Sequence, residues 1–429
     1  MLVLTIGLIL FALFSHYTPV PLEEEISFSR NKSIINRVDF GSNRNTEKVK
    51  IGWGRANMVP TEQKLYKTSS FLKRQITTIL DSTFVSCIYF VSKNEHCIML
   101  SYDLLLVTPE IKKKVTEMLN NKGLTNIYFS ASHTHSSFGG YGKGIISNLA
   151  LGSYDEEIVS FITQKTEVAY KQASQNASRL NSVSYREKIT DRCVNRLTDQ
   201  EYVKQNIREV VFASDRGKSS VFSLNIHPTF VWSTRDVLSN DYPKIFTHEK
   251  DSSFGMFLAG TMGSIKPMSY QRDTTQVTRF KRSLDDVVPD ILLDSLRNTG
   301  VYFTSIKLNV MPLNPLLTSN IQSSPWLSNL LIKQQDPSIE VVRVGEILFI
   351  SLPCELSAEY YAGLKVLANE KGYKLFLTSF NGTYLGYATP SQNFEIDHME
   401  TRTMNWTGKY GGDYFNQLVI QIISNQPQL

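Results

Sequence analysis

At 429 residues, with 41% hydrophobic and 20% charged side chains, the chain can bury a large core and has the balance of an ordinary globular protein. Its formal net charge of +5 is spread along the chain, and the densest basic run is Lys112-Lys113-Lys114. A nucleic-acid surface concentrates such charge and is not expected, whereas mild attraction to a membrane surface is compatible with it.

Residues Met1 to Phe14 are almost wholly apolar and uncharged, and the apolar character continues weakly to about Val20. That is short of the roughly 20 apolar residues a bilayer span needs. Residues 1–20 read as an export signal or an N-terminal membrane anchor, although a basic n-region and a small-residue cleavage site are absent. Either reading places the rest of the chain outside the cytoplasm. Residues 21–48 are polar, with Glu23-Glu24-Glu25, and read as a flexible tether. The folded part, 49–429, reads as one large domain without internal repeats.

Phe84 to Phe90 and Ile98 to Val107 are β-branched and aromatic runs, and Asn94-Glu95 suits a hairpin turn between them. Pro109 to Asn121 has helical spacing through Ile111, Val115 and Leu119, closed by Gly123. Ile127-Tyr128-Phe129 is a short buried strand, and Tyr154 to Ala173 a second helix. Glu209–Phe212 and Ser220–Asn225 pair around Asp215-Arg216-Gly217. Phe254 to Ala259 is another buried strand. Val341 to Leu352 is a strand pair around Gly345-Glu346, Ala358 to Gly372 a helix, and Leu375 to Ser379 a strand. The fold class is α/β, with mixed β-sheets layered with α-helices.

Cys87, Cys97, Cys193 and Cys354 have no Cys-x-x-Cys spacing, so a thiolate zinc site is not indicated. Cys87 and Cys97 are close enough to bridge neighbouring strands in an oxidising compartment. Asn31, Asn176, Asn381 and Asn405 head glycosylation sequons.

The chemistry concentrates where strands end. Ser132-His133-Thr134-His135-Ser136 follows an apolar run and precedes Gly139-Gly140-Tyr141. In an extended segment, residues i and i+2 share a face, so His133 and His135 can converge on one point. Other strands end in turns that carry His227, Lys266, Glu355 and Tyr387. Two or three histidines and a carboxylate make a catalytic zinc shell with an open position. No G-x-S-x-G serine-hydrolase elbow appears, and a P-loop reading of Gly139 to Gly144 fails because no G-K-[ST] follows at the required spacing.

The sequence here resembles the neutral/alkaline, non-lysosomal ceramidases, as a divergent member. Ser-His-Thr-His-Ser-x-x-Gly-Gly-Tyr matches the family signature. Asn195-Arg196, Ile226-His227-Pro228-Thr229, Leu352-Pro353-Cys354-Glu355 and Tyr384-Leu385-Gly386-Tyr387-Ala388-Thr389-Pro390 are similar to further family segments in the same order. The resemblance spans about Lys50 to Ile423. It implies zinc (Zn2+) held by His133, His227, Glu355 and Tyr387, with His135 beside the reacting water and Arg196 at the polar end of the substrate site. Two positions depart. The family's Gly-Asp-x-Ser-Pro appears as Gly263-Ser264-Ile265-Lys266-Pro267, and a downstream family tyrosine falls at Met399, with Phe394 before it.

The implied activity is zinc-dependent cleavage of the N-acyl bond of ceramide or a related lipid amide. Lys266 or Tyr384 would hold the developing oxyanion. The rivals are a metal-dependent hydrolase of another cell-envelope or glycan-linked ester or amide, and a non-catalytic module that binds lipid or sugar.

Overall fold

The computed structural model describes residues 12–41, 48–61, 75–93, 95–198, 202–231, 236–247, 254–268, 300–332 and 336–429, with short stretches between 275 and 296. Two β-sheets lie face to face, each covered on its outer side by helices. The larger sheet runs Phe254–Ala259, Gly217–Leu224, Tyr202–Ser214, Ser178–Asn195, Lys50–Asn57, Phe84–Val91, His96–Tyr102, Ile127–Ala131. It is parallel at both ends and antiparallel between them. The smaller runs Val301–Lys307, Ser338–Val344, Ile347–Ser351, Lys374–Thr378.

Alternation along the strands builds this layering. In Phe84–Val91, Ile88 and Phe90 face the second sheet, where they join Met99, Val342 and Phe349 in the inter-sheet core. Cys87 and Tyr89 face the other way, toward the helices Pro109–Asn120 and Glu156–Gln175. The outer face of the small sheet packs on the helices Glu359–Glu370 and Gly411–Ser424. Gly52 and Gly54 let the long helix lie directly on its strand. A Cβ at either would come within 1.9 and 2.2 Å of the carbonyl oxygens of Ala173 and Ala169.

The expected α/β class with layered mixed sheets is the observed one. The strand read as Ile98–Val107 stops at Tyr102, and the long strand Ser178–Asn195 was not anticipated. All four cysteines are free and buried. Cys87 pairs in register with Leu100 and Cys97 with Phe90, and the two thiols face opposite sides of the sheet. They therefore form no bridge. Asn31, Asn381 and Asn405 are fully buried, which removes three of the four sequons from any modifying enzyme.

The segment expected to be a tether carries a helix, Ile26–Arg37, with Glu25 as its N-cap. Its buried stripe is Phe28, Asn31 and Ile35, too narrow and too polar to stand out in composition. Asn31 secures it with hydrogen bonds to both the carbonyl and the amide N–H of Asn309, at 2.9 and 2.8 Å. Within the apolar leader, residues 1–11 lie outside the described residues. Phe14–His16 forms a strand paired antiparallel with Ile321–Ser323. Among the described residues no helix is long and apolar enough to cross a membrane.

Candidate metal centre

The two sheets each contribute two groups to one point. His133 lies just beyond Ile127–Ala131 and His227 just beyond Gly217–Leu224, both in the large sheet. Glu355 and Tyr387 lie beyond strands of the small sheet, Ile347–Ser351 and Lys374–Thr378. Glu355 and Tyr387 are direct register partners in a short parallel pair, Glu355–Leu356 with Tyr387–Ala388. Gly263 lets the loop beneath His227 close on this pair, since a Cβ there would stand 2.6 Å from the Glu355 carbonyl oxygen.

His227 Nε2 is 3.1 Å from both Glu355 Oε2 and the Tyr387 hydroxyl oxygen. His133 Nε2 is 3.6 Å from the same Glu355 oxygen. His135 Nε2 is 3.3 Å from His133 Nε2. The three histidines place a nitrogen each within 4.8 Å of one another, a group able to hold a metal ion.

The donor chemistry fits a cation. His133 Nδ1 lies 2.6 Å from the Leu105 carbonyl and His227 Nδ1 2.9 Å from that of Ile265. A carbonyl only accepts, so in each ring Nδ1 carries the proton and Nε2 turns a lone pair inward. Such outer partners orient metal-binding imidazoles. Burial drives the His133 pKa down to about 4, even beside Glu355, so its imidazole is neutral near pH 7. Burial alone would raise Glu355, but the attraction of His133 and His227 in their protonated forms, together with the Tyr384 hydroxyl, holds it below the ordinary carboxylate range. Two imidazole Nε2 atoms and the Glu355 carboxylate thus converge in a buried place, and once the rings give up any Nε2 proton to solvent their lone pairs face the same point. Tetrahedral zinc with ligand bonds of about 2.0–2.1 Å sets neighbouring donor atoms about 3.3 Å apart, close to the separations found.

His133 and His135 do converge, though not by strand alternation. The strand ends at Ala131, and His133 is left-handed, with φ of 63°. Its ring stacks on Phe380, which the sequence did not single out. His135 is half-buried, and burial followed by the neighbouring imidazoles lowers its pKa well below the usual value.

The other expected site residues are placed as follows. The Tyr384 hydroxyl donates to Glu355 Oε1 at 2.6 Å. Its single proton is thereby committed to orienting the carboxylate rather than to an oxyanion. Arg196 is held by an ion pair with Glu400, whose other oxygen meets His398. It remains near enough to Tyr387 and Glu355 for both to favour its charged form, although burial opposes this. Lys266 is half-buried on Ile265–Pro267, beside the carbonyl that orients His227. It does not line the cavity described next, and neither does Arg196.

That cavity has a volume of about 550 Å³ and is bordered by the candidate metal centre. His133, His135, Glu355 and Tyr387 border it at one end. Leu105, Leu106, Ile146, Ala150, Met404 and Trp406 make its walls largely apolar. Met399, where the sequence resemblance predicts a tyrosine, also lines it. The sequence offered no signal for Glu400 or His398. Phe380 could have been noticed, because it too lies just past a strand end.

No protein-family model matches the chain, and no curated protein matches it in sequence. Solved structures do. A ceramidase in complex with C2 is similar with a TM-score of 0.70 at 12% identity, over 89% of this chain and 76% of that one. The neutral ceramidase of Pseudomonas aeruginosa is similar with a TM-score of 0.70 at 13% identity, over 89% and 75%. The likeness is one of fold: over 89% of its length the chain shares the architecture of these two ceramidase structures.

Proposed function

We propose that the protein is a zinc-dependent amidohydrolase that cleaves the N-acyl bond of ceramide or a related lipid amide, releasing a sphingoid base and a fatty acid. One observation carries the reading. The donor atoms of His133, His227, Glu355 and Tyr387 gather at the end of a largely apolar cavity. These four residues would hold the metal. Zinc, when bound, makes water nucleophilic near neutral pH and polarises an acyl carbonyl.

The chain's own groups supply the rest. The apolar walls bind hydrocarbon and keep bulk water from the reacting bond. His135 borders the cavity and is neutral at working pH. Its nitrogen takes a proton from the attacking water and passes it to the departing amine nitrogen. Tyr384 and the Leu105 and Ile265 carbonyls keep the ligating groups aimed. Arg196, fixed by Glu400, adds positive potential behind Tyr387. Export or membrane anchoring through the apolar leader fits a lipid substrate.

The test is metal analysis of the purified chain together with fatty-acid release from an N-acyl sphingosine. One zinc per chain is expected, with release falling by at least about 100-fold in His133→Ala. Full activity in a metal-free preparation would overturn the proposal.

A further inference from the structure

Two short helices present apolar side chains to solvent beside the cavity. In Ile145–Leu151, Ile145 and Leu149 are 40% and 52% exposed. In Pro325–Leu331, Trp326 and Leu330 are 62% and 52% exposed. Each pair is spaced i, i+4 and forms a stripe along its helix. The helices touch each other. Other residues of the same helices, Ile146, Ala150 and Leu331, line the cavity, as does the half-exposed Met399. The two stripes therefore flank the cavity's mouth. Contiguous apolar surface of this kind marks an interaction face.

A second observation identifies what it meets. Ser324, the N-cap of the Pro325–Leu331 helix, donates from its hydroxyl to the Ala12 carbonyl and from its N–H to the Leu13 carbonyl, both at 2.8 Å. Residues 1–11, apolar but for Thr5 and without charge, therefore join the described chain at the foot of this helix. The point at which the apolar leader attaches, Ala12, and the stripe of the Pro325–Leu331 helix are thus close together. The ionic groups that line the cavity away from the candidate centre, Glu110, Lys113, Lys143 and Asp336 with Lys112, which is paired to Glu340, are of mixed sign, so attraction to an anionic surface is not what they favour.

We infer that the stripes of Ile145–Leu151 and Pro325–Leu331 form a docking face that seats the cavity mouth on a zwitterionic lipid bilayer. Trp326 and Leu149 enter the headgroup boundary, where amphipathic rings and short apolar helices settle. A lipid amide then moves from leaflet to cavity without crossing water. This deepens the lipid-amide reading and rests on it.

The test is flotation of the full chain with phosphatidylcholine vesicles at low and high salt, for wild type and for Leu149→Ser/Trp326→Ser. It runs beside turnover of a water-soluble short-chain N-acyl amide and of a long-chain amide embedded in the vesicles. Wild type should float equally at both salt concentrations. The double variant should lose about tenfold in vesicle partitioning and in turnover of the embedded amide, and keep its turnover of the soluble one. A wild type that stays unbound or pairs with itself instead, or a variant that floats as well as wild type, overturns the docking face. Failure of wild type to cleave the soluble amide overturns the lipid-amide reading instead, and flotation still decides the face.

Discussion

The imidazole of His133 lies flat on the ring of Phe380, with centroids 4.1 Å apart and planes 11° from parallel, and both residues hold a left-handed backbone, φ 63° and 67°. Such a conformation costs a non-glycine residue about 1–3 kcal/mol and persists only where surrounding structure enforces it. Here the two bends aim the His133 imidazole and hold its ring from the side. Phe380→Ala should lower stability by about 3–5 kcal/mol, the usual range for a buried phenylalanine. It should also weaken zinc binding by about 10–100-fold, read by competition with a chromogenic chelator.

Tyr384 is expected to act on the metal through Glu355. In Tyr384→Phe the carboxylate loses its partner at 2.6 Å and keeps a buried oxygen without a donor, at a cost of about 1–3 kcal/mol. Metal affinity should fall by about tenfold or more while circular dichroism stays unchanged. A variant that binds zinc as tightly as wild type would show that the tyrosine has another task.

Removal of metal should uncover the repulsion among the converged groups. Dialysis against a chelator is expected to lower the melting temperature, and added zinc to restore it in a concentration-dependent way. The gain should be about 2.7 kcal/mol at a hundred times the dissociation constant. Calorimetry with and without zinc measures it, and in His227→Ala the difference should vanish.

Asp103 gives stability a pH dependence that its amide analogue lacks. Burial raises its pKa to about 7, against the opposing pull of the Phe84 N–H and Arg55. An unfolded aspartate titrates near about 3.9. Between these values the folded chain holds a proton that the unfolded chain has released. This contribution therefore favours folding at about pH 4 and is lost as pH rises through 7. A carboxamide in its place would need no proton and could still accept from the Phe84 N–H. Asp103→Asn should melt above wild type at pH 8, by an amount worth about 1–2 kcal/mol, and the gap should close toward pH 4.

Much of the centre was legible because strand ends are easy to read. Apolar runs such as Ile127-Tyr128-Phe129 stop sharply, and polar groups lie just beyond them, His133 and His227 after strands of the large sheet and Glu355 after a strand of the small one. What escaped reading depends on contacts distant in sequence. Glu400 is an unremarkable acid until the fold brings it to Arg196. The helix Ile26–Arg37 hides its apolar face behind Asn31, whose partner is 278 positions away. Ser178–Asn195 alternates partly exposed and charged residues, and takes its shape from pairing with Tyr202–Ser214. The left-handed turn at His133 had no glycine to announce it.

Because the chain leaving each sheet leads to two of the four proposed ligands, tight capture of an ion would report that the two sheets have met. A refolding chain would acquire its metal only after long-range docking, which makes zinc uptake a clock for the last assembly step. Either half produced alone would offer two ligands and hold the ion weakly. Once in place, the ion would rivet together surfaces otherwise joined by side-chain packing, so its release should loosen the seam between the sheets before the outer helices come away.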